Sequence, residues 1–548
     1  MSSPATPAIA NLGMITRILV LSVAAIGFLF DTYELLMFPV IGSNAISELE
    51  YRKGFTSLSA QEQQGVRDWS GRMLWIAALA GGGCGLAGGL LIDRMGRKTI
   101  MVASILAYSV SPVLAAYSTD LWMLILFRCT TFAGVCVEMV AAVTWLAELF
   151  DDKRTREMVI GWTLATASLG GILVTEAYNA IVEWVRDGYL RSCSFADFSE
   201  KFSEAMRQGY FPDIPFMEGH MPENIAWRLT LLTGLIPGAL ILILMPFVPE
   251  SGVWKQKKEA GTLQRPSFFA LFTPELRMTT IVTTILSACG YAAAFGAIQM
   301  TPLQIAPGLP DMVQMIPEPV RDAQAKVRAT PEGTPEREAA VKSLGAVRKA
   351  HQAELKAADQ ALQARRGDIQ RWQELGGLAG RILLAVLLLF VPSQWLIRLF
   401  LIPGVILLPV AYFKLVHEDY VLFATAIFFC GLLTVAQFSF LSEFLPKVFP
   451  MHLRGTGGSF ATNLGGRMIG TMAATLNTEV LSKMFEGTPP LQVAAAAGVI
   501  GGTVYLIALL VSFLLPAPQE EGKESPAPVP AVPSDTAITA EDPFKRRG

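Results

Sequence analysis

Charge is what this chain of 548 residues lacks most: 16% of it is Asp, Glu, Lys or Arg, against 52% apolar residues. Soluble proteins carry about 25% charged residues, and a water-facing surface of this size would need them. Histidine is scarcer still, with four in the whole chain and no HExxH or other ligand spacing, which disfavours an integral-membrane metalloenzyme. No G-x-x-x-x-G-K-S/T loop is present, which disfavours an ATP-driven pump. Of the six cysteines, Cys84, Cys129, Cys136, Cys289 and Cys430 lie in apolar segments and only Cys193 in a polar one, without a CxxC. Neither a disulfide framework nor a metal cluster follows. A net charge of -2 offers nothing for nucleic acid to bind. No cofactor is implied.

What is present is apolar sequence in long runs. Many reach 17 residues or more, past the about 10–14 residues of a soluble core helix. Their lengths predict twelve membrane-spanning helices, near 15–40, 70–92, 99–117, 121–147, 158–183, 227–248, 278–301, 376–392, 396–413, 420–442, 456–479 and 493–515. Inside a bilayer every backbone amide must bond within its own segment, so these are helices. The first run is too long for a removable signal sequence and has no small-residue cleavage pattern beyond its core.

Basic residues set the expected orientation. Arg94, Arg97 and Lys98 follow span 2, Lys153, Arg154 and Arg156 follow span 4, and Lys255, Lys257, Lys258, Arg265 and Arg277 follow span 6. Lys447 and Arg454 follow span 10, and Lys545, Arg546 and Arg547 end the chain. The opposite side has no Lys or Arg between spans 3 and 4 and only Lys414 between spans 9 and 10, although Arg52, Lys53 and Arg67 between spans 1 and 2 dilute the contrast. The expectation is an integral protein of the plasma (inner) membrane with both termini cytoplasmic.

The expected organisation is a cytoplasmic segment 1–14, a six-helix bundle over 15–248, a cytoplasmic connection 249–277, a second bundle over 278–515, and a disordered Pro-, Ala- and Glu-rich tail, 516–548. Two outer connections are long, 184–226 and 302–375. The second begins Pro-rich and continues with strongly helical composition, with Leu355, Leu362 and Ile369 seven residues apart. It reads as a helical hairpin or long helix outside the membrane, either a solvated spacer or a docking surface or lid.

The joint after span 2 reads GGLLIDRMGRKTI, from Gly88 to Ile100. Its Gly89, Leu91, Asp93, Arg94, Gly96, Arg97 and Lys98 resemble, at fixed offsets, the G-x-L-x-D-R-x-G-R-K signature of the major facilitator superfamily of secondary transporters. Glu148 and Arg156 after span 4 resemble the family's R…AE…R pattern, and Glu443 and Arg454 after span 10 echo them in the second half. Val248 to Trp254, VPESGVW, resembles the PESPRW segment of the sugar-porter-like branch, with Gly252 replacing the second proline. The sequence departs from the pattern around Gly380 and Arg381, where the second-half acidic turn is missing, and in the length of 302–375. The resemblance implies an all-α polytopic protein with two six-helix bundles and inverted repeats, working by alternating access as a monomer. It makes Gly89, Asp93, Arg94, Gly96, Arg97, Lys98, Glu148 and Arg156 the first-half cytoplasmic latch, and Glu443 and Arg454 the second. Arg and Glu at helix ends also serve as plain interface anchors.

Two acids interrupt span 1 in GFLFDTYELLMF, from Gly27 to Phe38. Asp31 lies about 24 Å into that helix at 1.5 Å per residue, and Glu34 follows three residues later on nearly the same face. An acid there costs about 2.5–3.5 kcal/mol unless it meets a cavity or a partner. Arg128 in span 4 is the expected cation, keeping the spacing to Glu148 that proton-coupled members of the sugar-porter branch show between their span-4 arginine and glutamate. Asp31–Arg128 then reads as a proton-coupling pair, with Glu34 beside it; the alternatives are a structural ion pair or a pair that binds solute charge. Glu138, Gln299, Tyr291, Asn463 and Arg467 are further candidates along the path, the last two resembling the family's span-11 NxGR-like element. Span 7 lacks the sugar porters' glutamine pair. Buried arginines suit an anion and paired acids a cation, so the expected partners are a small polar solute and protons within a lipid bilayer. An uncoupled facilitator or exchanger of an organic anion, or a transporter-like sensor, is the alternative.

Overall fold

A computed structural model describes residues 14–516 apart from 150–152, 195–196, 209–213, 217–224, 248–249, 251–254, 257–258, 260–267, 332, 389 and 451–452. Twelve long helical rods run through the described residues. In the first half they are α1 (Met14–Tyr51), α2 (Ala60–Met95), α3 (Arg97–Ala116), α4 (Leu121–Leu149), α5 (Lys153–Arg186) and α6 (Ala226–Phe247). In the second they are α7 (Arg277–Gln314), α8 (Gln352–Leu387), α9 (Ser393–Phe413), α10 (Tyr420–Val448), α11 (454–484) and α12 (Pro489–Ser512). The sole strand pairing among the described residues joins Ser192–Cys193 to Ile214–Pro215, in parallel.

Local chemistry explains several ends. Ser59 and Glu62 form a reciprocal capping box that starts α2, and the Asp419 side chain caps α10 through Val421 N. The α2–α3 joint turns on Gly96, at φ 100°, a backbone conformation that a side chain resists.

The packing repeats with an offset of six. α1 packs on α5, α2 on α4, and α3 on α4 and α6; α7 packs on α11, α8 on α10, and α9 on α10 and α12. The halves meet where α2 lies on α11 and α5 on α8. Adding six to the first pair and subtracting it from its partner gives the second pair, as a two-fold relation between halves requires.

Eight rods have an 18-residue window long and apolar enough to cross a membrane. The other four are α2, α5, α8 and α11, which form the seam. A helix covered by protein on this side does not need lipid-like residues there. It needs small ones: a Cβ at Gly71 of α2 would lie 2.9 Å from the Ala474 carbonyl of α11, and one at Gly171 of α5 would strike the Glu374 carboxylate of α8.

This corrects the expected bounds of span 8. α8 begins at Gln352, so residues 352–375 belong to the same rod as 376–387 and are not a separate outer element. Leu355, Leu362 and Ile369, the seven-residue repeat, are buried along it. Similarly α1 runs on to Tyr51. The tail from 517 and the segment before Met14 lie outside the described residues.

Candidate functional site

All the buried charges singled out in the sequence lie in the core, but in different pairs. Arg128 does not pair with Asp31. Its Nη1 donates to the Glu34 carbonyl at 3.3 Å and its guanidinium lies between the Phe38 and Phe132 rings at 5.3 and 5.1 Å, while neither Glu34 carboxylate oxygen has a hydrogen-bond partner among the described residues. Glu34 points into the first half, where a Cβ on Gly234 of α6 would fall 2.5 Å from its Oε1. Three residues turn a helix by about 300°, so Asp31 and Glu34 are about 60° apart in direction. That is enough to send one into its own bundle and the other to the seam.

Asp31, 8% exposed, faces a different cation. Arg467 of α11 acts on both Asp31 and the fully buried Glu138 of α4. Glu138 lies over Gly27, one turn before Asp31, where a Cβ would be 2.5 Å from Oε1. Oδ1 of Asp31 and both carboxylate oxygens of Glu138 have no hydrogen-bond partner among the described residues. The Tyr108 hydroxyl of α3, equally unpartnered, lies in the field of all three acids.

Arg467 is held on its own side. Nη1 donates to Asn463 Oδ1 at 2.8 Å, while Nη2 reaches across to Met139 Sδ at 3.6 Å. Tyr291 stacks with Phe295 at 5.9 Å and meets Phe438 edge-on at 5.0 Å. Gln299, two turns along α7, is buried with Oε1 unpartnered. Both α7 and α11 widen here: Gln299 N bonds Ala294 O, and Thr471 N bonds Gly466 O, five residues back in each case. Such wide turns re-aim side chains and recur at functional sites.

At the joints the structure is narrower. The side chains of Gly89's neighbours Asp93 and Arg94, and those of Glu148, Arg156, Glu443 and Arg454, lie outside the described residues, as does Gly89 beyond its helical backbone. Arg97 is buried, with Nη1 donating to Ile92 O at 3.2 Å. The Glu250 carboxylate accepts from the backbone amides of Arg97 and Lys98 at 3.1 Å, capping α3. The PES resemblance pointed to that glutamate without assigning it a partner.

Sequence reading missed one group. Gln370, Gln373 and Glu374 of α8 are buried in the seam, with both amides donating to Glu374 Oε1 at 2.8 and 3.1 Å. Their polar stretch interrupts the hydropathy pattern, which assigns them to the outer connection 302–375.

The fold and site together define a polytopic membrane protein of two six-helix halves with unpartnered carboxylates at the seam. The family model for sugar (and other) transporters matches residues 22–281. The probable 4-methylmuconolactone transporter of Cupriavidus pinatubonensis is 22% identical over 39% of this chain and 40% of its own. The 4-hydroxybenzoate transporter of Pseudomonas putida is 26% identical over 38% of each. The crystal structure of a D-xylose–proton symporter superposes with a TM-score of 0.54 at 15% identity, over 91% of this chain and 98% of that one. The first half of the chain is thus similar to sugar (and other) transporters, and its fold is that of the D-xylose–proton symporter. It spans between a third and a half of the length of the first curated relatives it matches. The family and these relatives are transporters, not enzymes.

Proposed function

We propose that this protein is a secondary carrier that moves a small polar solute across the membrane by alternating access, coupled to protons through Asp31 and Glu138. One observation carries the reading: Asp31 Oδ1 and both Glu138 oxygens, without a hydrogen-bond partner among the described residues, lie in the field of Arg467, whose Nη2 reaches Met139 beside Glu138. When the halves rock, Arg467 moves relative to both acids. Carboxylates left without a cation in an apolar site take up protons rather than remain charged. The solute enters the same account, because an anionic group bound to Arg467 competes with Asp31 and Glu138 for it. Proton and solute anion then bind together, which is symport.

The arginine fork, with Asn463 beside it and the Tyr291–Phe295–Phe438 cluster next to it, suits a compact organic acid. The organic acids in the names of two relatives support this class. The basic joints support cytoplasmic termini, with 302–350 and the start of α8 on the outer face; the two halves of one chain form the whole seam, which suits a working monomer. Uptake into proteoliposomes tests the function, using labelled organic acids, sugars, amino acids and phosphate. The reading expects one class, an organic acid, to accumulate above equilibrium only with an inward proton gradient. Equal uptake with and without the gradient would show an uncoupled facilitator.

A further inference from the structure

Between α7 and α8 two short helices, Glu318–Ala329 and Pro335–Ala350, fold back on the start of α8 around a small core of Val320, Ala323, Val327, Leu344 and Leu355. By sequence this unit belongs to the second half. Its polar contacts reach the first half, at the turn between α1 and α2. Arg348 donates from Nη1 to Ser57 O and from Nη2 to Leu58 O, each at 2.7 Å. Thr56 N donates to Asp359 Oδ1 at 2.9 Å, and Thr56 Oγ1 to Leu355 O at 3.2 Å. Arg366 donates to Asn44 Oδ1 at 2.8 Å and lies over the Phe55 ring at 4.9 Å. Gly54 completes the fit, since a Cβ there would fall 2.6 Å from Asp359 Oδ2.

These contacts differ in kind from the ion pairs along the same end of the seam. Arg72–Glu479, Lys483–Asp68 at 3.6 Å and Arg371–Glu176 at 2.5 Å are all partly solvent-exposed, and such pairs hold little. The turn, by contrast, is gripped largely by its backbone, at half-buried sites, with charge on the second-half side of three bonds. Directly beneath it the two halves are closed: Gln304 of α7 donates to Ser43 of α1 at 3.1 Å and to Ser70 of α2 at 2.8 Å.

We propose that residues 318–366 form a clasp that holds the two halves shut at this end. Arg348 and Asp359 are its hooks and the turn 54–58 its catch. Opening this end of the carrier requires the catch to come free first. The consequence for transport rests on the alternating-access reading, but the clasp is tested without solute or proton gradient.

The experiment is hydrogen–deuterium exchange on the full chain in lipid nanodiscs, comparing the parent with Arg348→Ala/Asp359→Asn. Exchange should rise at least tenfold, the loss expected from removing about one net hydrogen bond. The rise should appear at 54–58 and also beneath it, at 43–47 and 301–305, while α9 is unchanged. Arg348→Lys keeps the charge but loses the two-pronged grip, so it should give a smaller rise at the same segments; it also serves if the double variant folds poorly. Lys349→Ala, next door and exposed, should change nothing. A rise confined to 54–58, or none in either Arg348 variant, overturns the clasp.

Discussion

Arg467 of α11 places Nη2 3.6 Å from the sulfur of Met139 on α4, so a cation of the second half sits beside the turn that carries Glu138 of the first. This makes the charge balance around Asp31 and Glu138 depend on how the two halves are placed.

Arg467 therefore has two tasks that substitution can separate. Arg467→Lys keeps the charge but not the fork that reaches both Asn463 and Met139. It should retain proton-driven accumulation while raising the KM for solute by about tenfold, the worth of one charge-assisted contact. Arg467→Ala should lose both. Initial-rate uptake against solute concentration, at two pH values, separates the cases.

Arg128 and Glu34 are expected to be structural. Arg128 is enclosed by two aromatic rings and bonds the Glu34 carbonyl, while neither Glu34 carboxylate oxygen has a hydrogen-bond partner among the described residues; removing the Arg128 charge takes the nearest cation from a buried acid, at about 3–5 kcal/mol. Arg128→Met alone should cut folded yield. Arg128→Met/Glu34→Gln should restore both yield and proton-driven uptake, measured by size-exclusion profile and transport assay.

A second buried pair provides a control far from the coupling site. Arg228 meets Glu48 at 2.8 Å and also donates to the carbonyls of Ala116 and Ser118, while Trp227 Nε1 donates to the other Glu48 oxygen. Arg228→Met should destabilise the protein by about 3–5 kcal/mol without changing the pH profile of whatever transport survives. Thermal unfolding in detergent checks the first statement and pH-dependent uptake the second.

Gly71→Val tests the seam. The added side chain meets backbone, the Ala474 carbonyl and the Thr475 Cα at 2.9 and 3.1 Å, and backbone cannot step aside as a flexible side chain can. Closure at the clasp end should be disfavoured. Deuterium uptake at 43–47 should increase as it does on removing Arg348, although the clasp itself is intact.

Much of this was legible in the sequence, and the misses share one cause. Hydropathy located the lipid-facing helices, and the G-x-L-x-D-R-x-G-R-K resemblance identified the fold. α8 was cut short because Arg366, Gln370, Gln373 and Glu374 look like a water-exposed stretch; they are buried against α5 and α10, a burial that hydropathy does not register. The acids of span 1 were found, but not their partners. Asp31 and Glu34 were assigned to one face, and the 60° between them sends each to a different cation. Arg467 reads as a buried cation in the sequence, yet 436 positions separate it from Asp31, and it is the packing of the two halves, α2 on α11 foremost, that brings it near.

The central claim is that Asp31, with Glu138, carries the coupled proton. Its most direct test is solute accumulation by Asp31→Asn in proteoliposomes with an imposed inward proton gradient, alongside solute counterflow in the same vesicles. The account predicts that accumulation above equilibrium disappears in the well-folded variant while counterflow, which needs no net proton movement, continues. Full gradient-driven accumulation by Asp31→Asn would contradict it.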